Sequence, residues 1–366
     1  MKAKKLVAIL MSAMLTASVL VGCGSSAGNG EGKDNAGSES KVMIGLATDE
    51  GGLNDKSFNQ SADTGVKKAQ EEFGLEYKPI ESSKKEDYEP NLQALVDEGS
   101  TLTFAVGYQL SEAIKNIAQA NPDSHFAIID ENVEGVDNIQ SITFKEEEGS
   151  FLMGVIAGKM TKTNKIGFIG GKDVPTINKF ESGFVAGVKA VNPEAAKGLE
   201  SPDGEKAGST IKYADSFNDT NKGYELAKSL YDSGCDVIYH SSGGTGTGMF
   251  KAAKELKDKG KEVWGIGVDM DQTITLPEYA DVILSSMIKK VELATYEAAK
   301  DAKDGKFEGG HKVLGIKEGG IDIAETTSKN TPEDVVKLVQ EYKEKISKGE
   351  VVVPADRKGA KEFKAE

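Results

Sequence analysis

From Lys41 onward, short β-branched runs alternate with helical stretches, and the alternation happens twice. Val42-Met43-Ile44-Gly45-Leu46-Ala47 precedes a helix expected from about Asn59 to Phe73, with Gly74 as its stop. Leu102 to Val106 precedes a second helix that starts at Ser111 and ends before Pro122, and Phe126-Ala127-Ile128-Ile129 is a further buried run. Strands that alternate with helices predict parallel sheets joined by right-handed crossovers, the doubly wound α/β class. The pattern then restarts. Ile166-Gly167-Phe168-Ile169 repeats the first strand, and Val237-Ile238-Tyr239 enters a turn and helix as Phe104-Ala105-Val106 does. Val263 to Val268 ends in Asp269, as Phe126 to Ile129 ends in Asp130. The spacing drifts, so the architecture repeats without the sequence repeating. Two Rossmann-like lobes are expected: 41–145 plus about 275–310 in the N-terminal lobe, and 146–274 plus about 311–355 in the C-terminal lobe.

That architecture already locates a site. In open parallel sheets, ligands bind beyond the carboxyl ends of the strands. Two facing lobes put both sets of strand ends on one cleft, and a ligand that bridges them favours a closed state. Thr48-Asp49, Gly107-Tyr108, Asp130, Phe217, Ser241 to Gly248 and Asp269 all fall at such ends. Each has a plainer reading by itself. Asp130 and Asp269 suit turn or helix caps, but their matched positions in two lobes argue for more. In TDEGGLNDKSFNQ (48–60), Ser57 reads as a helix cap and Phe58 as a staple to the core. SSGGTGTG (241–248) lacks the lysine of a phosphate loop and does not spell GxGxxG, so a tight turn explains its glycines equally well. Lys289 and Lys290, expected at the start of a helix, fit a charged helix face.

The first residues carry a different signal. Lys2, Lys4 and Lys5 precede an uncharged run from Leu6 to Leu20, which suits the apolar core of a secretory leader better than a membrane span of about 20 residues. It ends in Leu20-Val21-Gly22-Cys23, which looks like a bacterial lipobox: a leader 1–22, then acylation of Cys23. Residues 24–40 are Gly- and Ser-rich and read as a flexible tether, with a root-mean-square reach of roughly 22 Å. The chain has two cysteines, so an acylated Cys23 leaves Cys235 as a single thiol, expected to be a small core residue. An extracytoplasmic, lipid-anchored protein follows, on the outer face of the cell membrane.

Charge narrows the ligand. Losing Lys2, Lys4 and Lys5 with the leader leaves 42 basic against 59 acidic residues, a formal charge of −17. Such a surface repels nucleic acid. Arg357 is the only arginine, so the body of the chain offers no bidentate fork for phosphate or carboxylate. A neutral, polar ligand is expected.

The six segments TDEGGLNDKSFNQ, FAIID (126–130), ADSFNDTNKG (214–223), SSGGTGTG, GIGVDMDQ (265–272) and SSMIKKV (285–291), in this order, resemble the basic membrane lipoprotein family, also called purine nucleoside receptor A-like. These are substrate-binding lipoproteins of ABC transporters with the type I periplasmic-binding-protein fold. The likeness runs from Lys41 to Val351-Val352-Val353-Pro354, although this chain is acidic where the family name says basic. It implies Phe58 and Phe217 as aromatic plates on a nucleobase, Asp130 on the base edge, and Asp269 with Lys289, or the adjacent Lys290, on the ribose hydroxyls. Asp49 and Asn59 would line the N-lobe side, and Tyr108 and Gly243 the remaining walls. It further implies a monomeric receptor that delivers nucleosides, purine ones in particular, to an ABC permease, with no cofactor, metal or chemical step. Such contacts are compatible with affinity at or below about 1 μM. The alternatives are a sugar or autoinducer receptor of the same fold, an extracellular nucleoside hydrolase, and an adhesin or signalling lipoprotein. A hydrolase would use the same carboxylates, but His125, His240 and His311 are scattered and no HExxH or GxSxG is present.

Overall fold

The computed structural model describes residues 42–364. The leader, Cys23 and the tether lie outside the described residues. No helix among the described residues is long and apolar enough to cross a membrane.

Two six-stranded sheets form the frame. The first contains β1 (Met43–Thr48), β2 (Glu76–Ile80), β3 (Leu102–Val106), β4 (His125–Ile129) and β5 (Ile139–Phe144). The second contains β6 (Ile166–Gly170), β7 (Ile211–Tyr213), β8 (Val237–Ser241), β9 (Trp264–Asp269) and β10 (Ile283–Lys289). β11 (Gly310–Leu314) then returns to the edge of the first sheet and β12 (Ile321–Ile323) to the edge of the second. The orders are β2-β1-β3-β4-β5-β11 and β7-β6-β8-β9-β10-β12, so the two lobes share one winding. Every pairing is parallel except that of β10 with β12. β3, β6 and β8 are buried along their whole length, because helices cover both faces of each sheet. That is why they read as unbroken apolar runs and not as alternating ones.

This order, with β1 between β2 and β3, creates a switch point where the chain leaves β1 and β3 in opposite directions, and ligands of such sheets bind there. Both lobes aim that point at the other lobe. Three crossings join them: after Phe144, after Lys289, and between Leu314 and Ile321. The crossings are laced together, with Lys145 N–H donating to Leu314 O at 3.0 Å and Lys290 N–H to Gly320 O at 2.8 Å.

The lobe boundaries expected from sequence have to move. β10 lies in the second sheet, so the chain enters the N-terminal lobe only after Lys289 and not near residue 275. β11 belongs to the first sheet, so the chain leaves that lobe after Leu314 and not at 310. The reason is local: β10 pairs with the preceding β9, whereas β11 pairs with the distant β5. Lys289 accordingly ends a strand, and the following helix, Val291–Lys303, begins after Lys290.

Glycines set how closely the helices pack. The helix Phe58–Phe73 ends, as expected, on Gly74 in a left-handed conformation (φ 68°). Inside it, Gly65 lets the helix Val291–Lys303 approach until a Cβ would lie 2.1 Å from the Glu292 carbonyl oxygen. The helices Glu146–Met160 and Pro175–Val191 are pressed together the same way, through Gly154, Gly183 and Gly187. A Cβ on Gly187 would lie 2.0 Å from the Phe151 carbonyl oxygen, which cannot move without moving its helix. Gly187→Ala is therefore expected to destabilise the chain by roughly 1–3 kcal/mol, despite alanine's better helix propensity. Urea unfolding checks this, and equal or greater stability would contradict the close approach.

Candidate functional site

Between the facing strand ends lies a partly enclosed cavity lined by residues of both lobes. All nine residues nominated from sequence line it: Asp49, Phe58, Asn59, Tyr108, Asp130, Phe217, Gly243, Asp269 and Lys289. The topology explains the gathering. Asp49 follows β1, Tyr108 follows β3 and Asp130 follows β4, while Asp269 ends β9 and Lys289 ends β10.

Asp130 and Asp269 share more than a position. Both adopt left-handed backbone conformations, with φ of 72° and 64°. That conformation is uncommon outside glycine and is retained where the surroundings hold it. It turns each carboxylate out of its strand end into the cleft, and the capping role considered for them is not the one they take.

One end of the cavity is built on Lys289. Its side chain is 1% exposed, and its Nζ lies 2.5 Å from Asp130 Oδ2 and 3.0 Å from Glu146 Oε1. The rings of Phe58, Phe144 and Phe180 surround it at 5.0, 5.1 and 5.5 Å from their centroids. Burial alone would lower the ammonium's pKa, but Asp130, Glu146 and Asp269 together outweigh it and push it up, so Lys289 stays charged. The carboxylates answer in kind. Burial pushes Asp269 up to about 6, against the pull of Lys289 and of the Ser57 hydroxyl that donates to it. Asp130 is also raised by burial, with Lys289 opposing and Glu146 reinforcing. Lys290 instead points away, with its Nζ 3.5 Å from Asp322 Oδ2. Of the two adjacent lysines, Lys289 is the one in the cavity.

The other end is built on Asp49, which is 6% exposed. Its Oδ1 accepts from Asn59 Nδ2 at 2.7 Å and from the Gly51 N–H at 2.9 Å, and its Oδ2 from Gln109 Nε2 at 3.3 Å. Burial raises its pKa, which these donors and Lys172 moderate. Gly107, at φ 109°, passes so close that a Cβ would meet Asp49 Oδ2 at 3.1 Å. Tyr108 packs edge-on against Phe217, ring centroids 6.4 Å apart. Phe58 and Phe217 line the cavity without stacking on one another.

Four lining residues carry a buried polar atom without a hydrogen-bond partner among the described residues: Asn59 Oδ1, Tyr108 Oη, Asp130 Oδ1 and Ser241 Oγ. Buried polar atoms are costly when unpaired, so four of them around one cavity point to a polar ligand. The lobes also meet across the mouth. Ser57 donates to Asp269, Asn218 Nδ2 to the Glu50 carbonyl at 2.8 Å, and Gln272 Nε2 to the Lys56 carbonyl at 3.3 Å. These contacts join N-lobe to C-lobe residues, which is a closed arrangement.

Several neighbouring residues escaped the sequence reading. Ser57 makes no capping bond; Asp55 caps the helix Phe58–Phe73 by accepting from the N–H groups of Ser57, Asn59 and Gln60. Glu146 hides in the run Glu146-Glu147-Glu148, which looks like ordinary acidic residues at a helix start. Thr176, Ile177 and Phe180 line the C-lobe wall from a helix whose periodicity announces only a core face. The glycines of SSGGTGTG serve packing: a Cβ on Gly246 would strike the His240 ring, and one on Gly248 the Thr220 carbonyl oxygen. Cys235 is a buried free thiol in the second lobe's core, as expected.

Comparison with known proteins agrees with this geometry. A family model described as ABC transporter substrate-binding protein, PnrA-like, matches residues 41–357. A CD4+ T-cell-stimulating antigen of Listeria innocua is 39% identical, over 96% of this chain and 99% of its own. The ABC transporter nucleoside-binding protein BmpA of Lactococcus lactis is 36% identical, over 96% and 99%. Among solved structures, an ABC transporter solute-binding protein from Aeropyrum pernix superposes with a TM-score of 0.75 at 28% identity, over 88% of this chain and 96% of its own. Two like-wound α/β lobes around a polar cleft thus match solute-binding proteins of the type I periplasmic fold in architecture as well as in sequence. The chain belongs to the PnrA-like, or basic membrane protein, family of ABC transporter substrate-binding proteins.

Proposed function

We propose that this protein captures nucleosides, purine nucleosides foremost, and hands them unchanged to an ABC permease as a monomeric receptor held to the membrane by lipid on Cys23. The observation that carries the reading is the division of the cavity into two differently equipped ends. Asp130, Asp269 and Lys289 form a charged cluster at one end, and Asp49 with Asn59 and Tyr108 forms a hydrogen-bonding edge at the other, with aromatic rings along the walls. A nucleoside has the matching parts: a vicinal diol, a flat ring and a base edge with N–H donors. A relative 36% identical is named as a nucleoside-binding protein.

The geometry supports a different division of labour from the one the resemblance implied. Asp130 shares Lys289 with Asp269, so both carboxylates belong to the diol end. Asp49 and Asn59 are then the groups placed for the base edge. A carboxylate there accepts from ring N–H and amino donors, which guanosine and inosine offer. Phosphates are disfavoured, since three carboxylates surround the single lysine of the diol end. The carboxylates are read as binding groups, with no glycosidic bond broken.

Calorimetry with guanosine, inosine, adenosine, ribose and GMP, alongside mass spectrometry of whatever copurifies, tests the proposal. Guanosine or inosine should bind at or below about 1 μM, with ribose and GMP much weaker. A copurifying hexose or peptide, or release of free base from inosine, would overturn it. Phe217→Ala should weaken guanosine binding by about tenfold through lost burial and stacking. Guanosine affinity should also fall as pH drops through about 6, where Asp269 takes up a proton and can no longer accept from a diol on both oxygens. The sign for stability is opposite. A raised carboxyl pKa means that the folded chain binds the proton first, so this group's contribution to stability declines as pH rises from about 4 to 6. Asp269→Asn should flatten both trends, and an unchanged pH profile in that variant would remove Asp269 from the account. For the anchor, Cys23→Ala should move the protein from membranes to the medium in cell fractionation, and a protein still membrane-bound would refute the lipid attachment.

A further inference from the structure

Asp49 is held from the far side of the cleft by a two-residue relay outside the cavity wall. Gln109, in the turn after β3, donates from Nε2 to Asp49 Oδ2 at 3.3 Å, and its Oε1 accepts from Lys172 Nζ at 2.8 Å. Lys172 belongs to the other lobe, in the loop after β6. The orientation of the Gln109 amide follows from chemistry, because only its nitrogen can face a carboxylate and only its oxygen an ammonium. The same Lys172 Nζ lies 5.9 Å from the centre of the Phe217 ring. One C-lobe cation therefore reaches both the aromatic wall and, through Gln109, the base-edge carboxylate.

We infer that Gln109 and Lys172 are positioning residues that aim Asp49 at the ligand only when the lobes close, so that recognition of the base edge is coupled to closure. The inference rests on the nucleoside reading for its ligand. Asn59 and Gly51 both occupy Oδ1, which leaves Oδ2 with only the long contact to Gln109. Oδ2 is thus the oxygen with capacity for a ligand donor, and Gln109 fixes its direction. An ammonium on the amide oxygen polarises the amide and strengthens its N–H as a donor. Opening the cleft carries Lys172 and Phe217 away together while Gln109 and Asp49 stay behind, so the carboxylate loses its polarised partner at the moment the aromatic wall leaves. Asp55, Tyr88, Tyr108 and Lys172 are the charged and titratable groups facing Asp49, and of these Lys172 is the cation.

A double-mutant cycle with guanosine tests the coupling. Lys172→Met and Gln109→Leu should each weaken binding by about five- to tenfold, whereas Lys172→Arg should stay within about twofold of the parent. In an Asp49→Asn background, Lys172→Met should cost less than about twofold more. Equal losses in both backgrounds would show that Lys172 acts independently of Asp49 and would overturn the relay. A second readout needs no ligand: the Asp49 carboxyl followed by carbon NMR against pH. Its midpoint should move to higher pH in Gln109→Leu, whose amide stays with Asp49 whether the cleft is open or shut, and an unmoved midpoint there overturns the inference. Should the parent protein bind no nucleoside, the functional reading falls while the carboxyl titration still decides the relay.

Discussion

The ammonium of Lys289 is the interaction on which the site depends. It ends β10 at one of the three crossings between lobes and touches carboxylates from both sides, Asp130 from the N-terminal lobe and Glu146 from the start of the first C-lobe helix. At an effective dielectric of 20, two charges 4 Å apart attract by about 4 kcal/mol. Removing each ion from water costs several kcal/mol, so the cluster is a poor device for stability alone. Its value is positional. Lys289 holds Asp130 and Glu146 directly and Asp269 through its field, and three aromatic rings keep it from water. Without that cation, mutual repulsion would push at least one of these carboxyls to hold a proton.

The cluster also gives closure its meaning. Asp130 moves with one lobe and Lys289 with the other, so their contact, the Ser57 bond to Asp269 and the Asn218 bond to the Glu50 carbonyl exist together only when the cleft is shut. A ligand that satisfies Asp130 Oδ1 and Asn59 Oδ1 adds to contacts that the protein already makes in that state. Its affinity is then set partly by how far the unliganded chain favours closure, since only differential binding shifts such an equilibrium.

How much of this was legible in the sequence depended on range. Asp130 and Asp269 could be paired because each follows a strand that repeats, and strand ends in this topology face the cleft whatever their sequence. Their positive φ was not legible, because aspartate tolerates that conformation without requiring it. Lys289 and Lys290 differ by one position at a strand end, where side chains alternate between faces; choosing between them required the register of β10 against β12. Gln109 and Lys172 could not be linked, since they stand 63 positions apart and meet only across the seam. The return of β11 to the first sheet stayed hidden for the same reason, because its partner β5 lies far away in sequence and leaves no local trace.

The single arginine completes the electrostatic argument by its location. Arg357 is 9% exposed in the C-terminal helix, where it bonds to Glu181, Asp173, the Glu205 carbonyl and Tyr213 and ties that helix to the second lobe. Its planar fork is spent on Glu181 and unavailable to a ligand. Lys289 is likewise committed to its own carboxylates, and Lys172 to Gln109. An anionic ligand would therefore have to displace an existing partner from each cation near the cleft while approaching Asp49, Asp130 and Asp269. A neutral ligand with hydroxyl and N–H donors meets those same carboxylates as acceptors. The excess of acid over base inside the cavity thus selects by charge before shape is tested, and it favours an uncharged polar ligand over an anionic one.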